Sequence, residues 1–130
     1  MIRVVVVGDA VLDVVARPAS PIRPGADVRA HIRVGTGGQG ANLAVRLARL
    51  GGLSVELVCG LGPDPAAEIV LDALKAEGVT VSPVAVDATG SVVILVDAAG
   101  ERTMLSQRAT FGSAAPARLR HDADWIVVSG

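Results

Sequence analysis

Two patterns of apolar residues near the N-terminus predict two different kinds of strand. Residues Ile2 to Val7 form a nearly continuous β-branched run that is closed by Gly8 and Asp9, which is typical of a strand buried on both faces of a parallel sheet. Residues Val28 to Val34 instead alternate apolar with polar side chains, which predicts one apolar and one wet face. We therefore expect a central strand at 2–7 and a half-exposed strand at 28–34.

A first helix is predicted over residues Ala41 to Leu50. Leu43, Leu47 and Leu50 recur at helical spacing along one face. The pair Gly51-Gly52 follows directly, and glycine readily adopts the left-handed conformation found just past a helix end.

A second helix is predicted to begin at Pro65 and to run to Gly78. Asp64 provides an N-cap, and proline is favoured at the first helical position. Its apolar face is expected to carry Ile69, Ala73 and Leu74.

The sequence pattern of the rest of the chain predicts mainly strands. The prolines at 18, 21 and 24 preclude a helix and predict an irregular connection. Residues Asp97 to Gly100 predict the turn of a β-hairpin. Strands are expected at residues 55–59, 79–86, 90–96, 103–107 and 124–129, and a short helix at 116–120. The first half is therefore β, loop, α, β, α.

The composition of the chain excludes several classes of function. The 130 residues are 51% apolar and 19% charged, so the chain should bury a core, and with 2% aromatic residues that core must be aliphatic. The net charge of −1 without a basic run argues against nucleic acid as a partner. No apolar run approaches the roughly 20 residues that span a bilayer. The single cysteine, Cys59, is expected to be a buried thiol in a cytoplasmic protein.

Residues Gly35 to Gly40 form a loop with four glycines in six positions, followed by the polar Asn42. Its G-x-G-x-x-G spacing matches the dinucleotide-binding fingerprint, but that fingerprint follows the first buried strand of a βαβ unit, and this loop follows the half-exposed strand. Alternatively, the glycines only permit a tight turn. Because the loop has no Lys or Arg while Gln39 and Asn42 offer donors and acceptors, it suits a neutral polyhydroxylated ligand better than a phosphate.

The segment from Gly37 to Gly51, GGQGANLAVRLARLG, resembles the first signature of the ribokinase-like carbohydrate kinases, the PfkB family. The surrounding order is similar too, with Gly8-Asp9 after the first strand, Gly62-Pro63-Asp64 before the second helix and Ser129-Gly130 after the last strand. The resemblance covers the whole chain. It implies an α/β fold with a doubly wound sheet, here its N-terminal half, and a small β-sheet lid.

By position, the resemblance implies that Asp13 binds the substrate, and a carboxylate is suited to accept from two neighbouring hydroxyls. Gly37, Gly38, Gln39 and Asn42 match the loop and helix positions that hold sugar hydroxyls in the family. Gln39 stands where ribokinase itself has a lysine, which argues against ribose as the substrate. Asp9 is expected to cap a turn rather than to bind a ligand.

The resemblance also implies two lid segments, at about residues 14–36 and 90–108. Ile94 and Val92 would line the apolar inner face of the lid and exclude water from the transferring phosphoryl group, or they would pack only against the domain. Arg108 follows the hairpin and would lie either near the substrate or on the surface. His31 and His121 have no metal-ligand spacing and are expected to be solvated.

The family's second signature, Asp-Thr-x-Gly-Ala-Gly-Asp, supplies the catalytic base and the anion hole, and these 130 residues contain no such segment. The resemblance therefore implies that residues 1–130 are the N-terminal portion of a single domain. The full-length enzyme would be an ATP-dependent sugar kinase that uses ATP and Mg²⁺ to phosphorylate a hydroxyl of a carbohydrate, polyol or nucleoside. The chain alone would bind neither ATP nor Mg²⁺ and would be inactive.

Two other interpretations remain open: a stand-alone carbohydrate-binding or interaction module without catalysis, and a dinucleotide-binding oxidoreductase. As partners we expect a small-molecule sugar and a second copy of the chain. Self-association would use the lid or an exposed sheet edge, because an unpaired edge strand templates pairing with another chain.

Overall fold

The computed structural model describes residues 1–109 and 122–129, which contain eight strands and two helices. In chain order these are β1 (Ile2–Val7), β2 (Val11–Pro18), β3 (Ala30–Gly37), α1 (Gln39–Arg49), β4 (Leu53–Leu61), α2 (Pro65–Ala76), β5 (Thr80–Ala85), β6 (Ser91–Val96), β7 (Arg102–Gln107) and β8 (Trp125–Val128). The predicted α/β class is confirmed. The short helix expected at 116–120 lies outside the described residues.

Strand β1 lies inside a four-stranded parallel sheet, the main sheet, with the order β5-β4-β1-β8. It pairs with β4 from Ile2 opposite Leu53 onward, and with β8 from Val4 opposite Trp125 onward. The central position predicted from its β-branched run is confirmed. Because all four strands run in one direction, their carboxyl ends meet at one edge, which is where open α/β sheets bind ligands.

Helices α1 and α2 pack with the main sheet around an aliphatic core, as the composition predicts. The largest fully buried side chains are Val6, Leu57 and Cys59 of the sheet and Val70 and Leu74 of α2. Burial raises the pKa of the Cys59 thiol to about 12, so the thiol stays protonated and unreactive at neutral pH. The expected buried structural cysteine is confirmed.

Helix α1 ends where the glycines predict. Gly51 and Gly52 both adopt positive φ, at 76° and 71°, a conformation that costs glycine little. The predicted leucine face is wrong at Leu50, which is exposed at the C-cap. The small residues Ala41 and Ala44 are buried instead, because they let the helix approach the sheet closely.

Helix α2 begins as predicted, with Asp64 as N-cap and Pro65 in the first turn. The Asp64 carboxylate accepts a hydrogen bond from the backbone N–H of Ala67 at 3.0 Å. The expectation that Ile69 faces the core is wrong: Ile69 is exposed. Val70, one position further on, is fully buried, which places the buried face about 100° round the helix from Ile69.

The remaining strands form a second sheet, the small sheet, with the order β3-β2-β6-β7. Its predicted hairpin is confirmed: β6 and β7 are antiparallel, and Gly100 adopts a φ of 80° in the turn. Strand β2 was not predicted, because Asp13 and Arg17 interrupt its apolar residues and leave neither a continuous run nor a strict alternation. Its pairing partners β3 and β6 are distant in sequence.

The small sheet has an exposed apolar face. Residues in register on neighbouring strands project to the same side, and Val34, Val14, Val93 and Leu105 form one such row across all four strands. Val34, Val93 and Leu105 are 56%, 36% and 60% exposed. The apolar face expected at 28–34 therefore exists but is not buried, because it lies on this outer side at the edge strand β3.

A buried threonine ties the small sheet to α2. Thr89 is 2% exposed, and its N–H and hydroxyl donate to the Asp64 carboxylate at 2.8 and 2.6 Å. Its Oγ1 accepts from the N–H of Gly62 at 2.9 Å. The next residue, Gly90, accepts through its carbonyl from the N–H of Leu12 in β2. One carboxylate thus caps α2 and fixes the segment that enters the small sheet.

Within the described residues, no helix combines the length and the apolar character that a membrane span requires.

The contact with Thr89 should set the acid sensitivity of the fold. The Thr89 hydroxyl is the main cause that holds the pKa of Asp64 below its ordinary value. Because the folded-state pKa is the lower one, the stabilisation is complete at neutral pH and is lost as the pH falls through that value. We expect Thr89→Val to destabilise the chain at neutral pH, since it removes the hydroxyl that donates to Asp64 and accepts from the N–H of Gly62.

Urea unfolding measured between about pH 7 and pH 3 tests this, because the valine variant should then lose less stability on acidification than the parent chain. Thr89→Ser keeps the hydroxyl and is the matched control, expected to retain the parental acid dependence. Identical acid dependence in all three proteins would contradict the assignment.

Candidate functional site

The segment after β1 and the start of α1 meet backbone to backbone. The carbonyl of Asp9 accepts from the N–H of Ala41 at 2.9 Å, and its carboxylate accepts from the N–H of Gly40 at 3.0 Å. A side chain on Gly40 would place its Cβ 2.7 Å from the Asp9 nitrogen. The Asp9 carboxylate thus has a capping role, at the N-terminus of α1 rather than in a turn, since it satisfies a free N–H there.

The glycine loop does not have the context of a dinucleotide fingerprint. It follows β3, which belongs to the small sheet, rather than the first strand of the main sheet. Gly38 adopts a φ of 98°, and its backbone lies against the carbonyl of Asp9. The loop therefore leads from the small sheet into α1 beside the carboxyl edge of the main sheet.

A cavity of about 400 Å³ lies between this loop and the small sheet. Of the seven proposed sugar-binding residues, the structure brings together six around it, and the predicted lid residue Val92 lines it as well. The six are Asp13, Gly38, Gln39, Asn42, Ile94 and Arg108.

Gly37, the seventh, lies directly behind Asp13 rather than in the wall. A Cβ at Gly37 would lie 2.2 Å from one carboxylate oxygen of Asp13, so only glycine leaves room for the carboxylate in this position. Gly35 is on the same strand, and a Cβ there would meet nothing within 4 Å.

Asp13 offers a carboxylate to the cavity. Strand β2 presents it half-buried, in register with Gly35 of β3 and Val92 of β6. Burial raises the pKa of the Asp13 carboxyl above its ordinary value, and the positive charge of Arg102 opposes that rise. Among the described residues its carboxylate has no hydrogen bond or ion pair within 4 Å, which leaves both oxygens free to accept from hydroxyl groups.

Two amide side chains of α1 face the same space. Gln39 is the first residue of the helix and Asn42 lies one turn later; both line the cavity and are exposed. Each amide presents two N–H donors and a carbonyl acceptor. Together with the Asp13 carboxylate they can hydrogen-bond several hydroxyls at once.

The small sheet supplies an apolar wall. Ile94, at 3% exposure, lies in register with Met104 of β7, and both line the cavity with Val92. The sequence singled out Ile94 and Val92 but missed Met104. The signal was available, because a hairpin with its turn at 97–100 places residues 92 and 94 opposite residues 106 and 104.

The same reasoning recovers two more missed residues, Arg102 and Ser106, which line the cavity from β7. Both have the parity of Met104 and so project to the same face. Arg108, just beyond β7, adds a second guanidinium to the wall.

No metal site emerges from the described part of the chain. Residues 1–109 and 122–129 contain no group of three or more His, Cys, Asp or Glu side chains arranged to hold a metal ion. His31 is exposed on β3, as expected of a solvated histidine, whereas His121 lies outside the described residues.

The sequence matches the family described as pfkB family carbohydrate kinase over residues 1–129. The chain belongs to the pfkB family. A comparison with curated protein sequences gave no significant match. The family assignment favours the kinase interpretation over the dinucleotide-binding one, in agreement with the position of the glycine loop.

Solved structures of pfkB-type kinases have the same fold. A ribokinase from Cryptococcus neoformans in complex with ADP is 27% identical, with a TM-score of 0.72 over 98% of this chain and 40% of that one. The Arabidopsis thaliana ribokinase complexed with ribose and ATP is 27% identical, with a TM-score of 0.72 over 84% of this chain and 37% of that one. A carbohydrate kinase from Agrobacterium tumefaciens is 27% identical, with a TM-score of 0.73 over 82% of this chain and 36% of that one.

The pfkB chain described here therefore spans about two fifths of the length of these solved structures.

The electrostatic interaction between Asp13 and Arg102 allows a direct test of their proximity in the cavity. Because Arg102 lowers the pKa of Asp13 against the effect of burial, Arg102→Gln should raise the pKa of the Asp13 carboxyl further. Carbon-13 NMR titration of the labelled carboxyl group measures this. Arg23→Gln removes an exposed charge from the connection between β2 and β3 and should leave the pKa unchanged. Equal titration curves for Arg102→Gln and the parent chain would contradict the arrangement.

Proposed function

We propose that this chain forms the sugar-binding side of an ATP-dependent carbohydrate kinase, in which a hydroxyl of a carbohydrate or related polyol accepts the phosphoryl group. The observation that carries the proposal is the convergence of the Asp13 carboxylate, the glycine loop and the apolar side chains of the small sheet on one cavity of about 400 Å³. That volume is in the range of small-molecule sites.

In this proposal the polar groups of the cavity select hydroxyls. Asp13 accepts from two neighbouring hydroxyls, and Gln39 and Asn42 each donate and accept. Gly37 leaves room for the carboxylate, and Gly38 brings the backbone close to the ligand. The cavity thereby recognises a polyhydroxylated molecule by orientation as well as by hydrogen-bond type.

The small sheet acts as a lid in this proposal, over residues of about 14–36 and 90–108. Its wall of Val92, Ile94 and Met104 covers the ligand with apolar side chains. Exclusion of water protects a transferring phosphoryl group from hydrolysis. The backbone bond from Leu12 to Gly90 fixes where the two lid segments join.

The phosphoryl donor proposed is ATP with Mg²⁺. The proposal rests on family membership and on the neighbours solved with ADP and with ATP. Transfer requires a base for the acceptor hydroxyl and stabilisation of the developing charge. We assign neither role to a residue of this chain, because its sequence has no Gly-Ala-Gly-Asp segment. The chain alone is accordingly expected to bind sugar and to release no ADP from ATP in a coupled assay.

Isothermal titration calorimetry with a panel of sugars, covering neutral sugars, sugar phosphates and sugar acids, tests the binding proposal. At least one should bind, and Gly37→Ala should weaken that binding by about tenfold or more, because the new methyl displaces the Asp13 carboxylate. Gly35→Ala, two residues away with open space around it, is the matched control and should bind like the parent chain. Absence of binding across the panel would overturn the proposal, as would equal binding by both alanine variants.

We also propose that two copies associate through the outer face of the small sheet. The row of Val34, Val14, Val93 and Leu105 exposes apolar side chains at both edge strands, and a second copy covers them symmetrically. Light scattering after size-exclusion chromatography should give a dimer for the parent chain and a monomer for Leu105→Lys. Leu50→Lys, at the exposed C-cap of α1 and outside the small sheet, is the control that should stay dimeric. A parent chain that remains monomeric at high concentration contradicts this.

A further inference from the structure

The positive charge in the cavity comes from β7 and the residue just after it, and not from the glycine loop. The loop contains no Lys or Arg, which on sequence alone favoured a neutral ligand. The fold changes that balance, because Arg102 in β7 and Arg108 just after it both line the cavity. Two guanidinium groups therefore face the space where the sugar is proposed to bind.

These two arginines are not used in holding the fold together. Among the described residues, neither has a hydrogen bond or an ion pair within 4 Å. Arg49 contrasts with them, because its guanidinium donates to both carboxylate oxygens of Glu77, at 2.8 and 2.6 Å. Other surface arginines are unpaired too, but Arg102 and Arg108 differ from them in that they line the cavity.

Among the described residues, the two carboxylates of the cavity form no ion pair with the two guanidiniums. The Asp9 carboxylate already accepts from the N–H of Gly40 at the helix N-terminus. The Asp13 carboxylate is close enough to Arg102 for its pKa to be affected, yet the two side chains form no ion pair. A neutral sugar bound at Asp13 would leave both guanidiniums without a partner on the ligand, whereas an anionic substituent would pair with them.

The strand register places Asp13, which would bind hydroxyls, apart from Arg102, which carries positive charge. Asp13 lies in the same row as Val92 and Ser106, whereas Arg102 lies four residues along β7 from Ser106. At about 3.4 Å per residue, four residues correspond to roughly 14 Å of strand, a distance that the long arginine side chain partly spans back toward the cavity. A ligand can therefore contact Asp13 with its hydroxyls and Arg102 with a substituent further along.

We propose that the sugar substrate carries an anionic substituent, a phosphate or a carboxylate, and that Arg102 is the residue that selects it. A guanidinium binds either group through two parallel hydrogen bonds. Arg108 adds positive charge on the same wall. This inference rests on the proposed function, because it names the class of sugar that the same cavity binds.

The test compares matched ligands by calorimetry on the 130-residue chain: glucose with glucose 6-phosphate and glucuronate, galactose with galactose 6-phosphate and galacturonate, and ribose with ribose 5-phosphate. At least one charged ligand should bind about tenfold or more tightly than its neutral parent. Tighter binding of the sugar phosphates or of the sugar acids identifies which anion the cavity prefers. Tighter binding of the neutral parents overturns the inference and leaves the proposed function standing, whereas absence of all binding overturns both.

Three variants assign the effect to Arg102. Arg102→Gln should remove the preference for the charged ligand over its neutral parent. Arg102→Lys keeps the charge without the planar fork and should retain part of the preference. Arg23→Gln, at an exposed position outside the cavity, should leave it intact. A preference that survives in Arg102→Gln, or an equal loss in Arg23→Gln, overturns the role of Arg102.

Discussion

The structure depends on the direct backbone contact between Gly8-Asp9 and Gly40. A Cβ on Gly8 would lie 2.8 Å from the Cα of Gly40, and one on Gly40 would lie 2.7 Å from the backbone of Gly8 and Asp9. No other residue type fits at either position without a backbone shift. Since β1 ends just before this contact, β2 begins just after it and β3 leads into α1 beside it, the contact sets the small sheet against the main sheet.

That contact also creates the cavity. It holds the N-terminus of α1 beside the start of β2, so that Gln39 and Asn42 face the same space as Asp13. The glycines of the loop consequently have two different roles, which the interpretation of the loop as a simple tight turn does not distinguish. Gly40 is required for packing, whereas Gly37 is required because the Asp13 carboxylate occupies the volume of a side chain. A packing role explains the first of these glycines, and only the cavity explains the second.

Sequence reasoning succeeded where one local signal determines the structure. The β-branched run at 2–7, the Asp64-Pro65 helix start and the turn from Asp97 to Gly100 each have their own physical cause, and all three were predicted. It failed at β2, whose interrupted pattern becomes a strand only through pairing with β3 and β6. It also failed at Ile69, because the face that a helix buries depends on the sheet beneath it. Six of the seven proposed site residues line one cavity, but Arg102, Met104 and Ser106 required the hairpin register.

The physical constraints on the cavity differ from wall to wall. On the side of α1, any change at Gly37, Gly38 or Gly40 meets backbone or the Asp13 carboxylate at less than 3 Å. On the side of β7, Arg102 is exposed and lies outside the core, so a different side chain there disturbs no packing. In the proposed function, hydroxyl recognition is thus fixed by the fold, whereas charge recognition lies on a strand that tolerates substitution. On that proposal, changes on β7 alone would alter the charge of the sugar that the cavity accepts, without any change in the glycine loop.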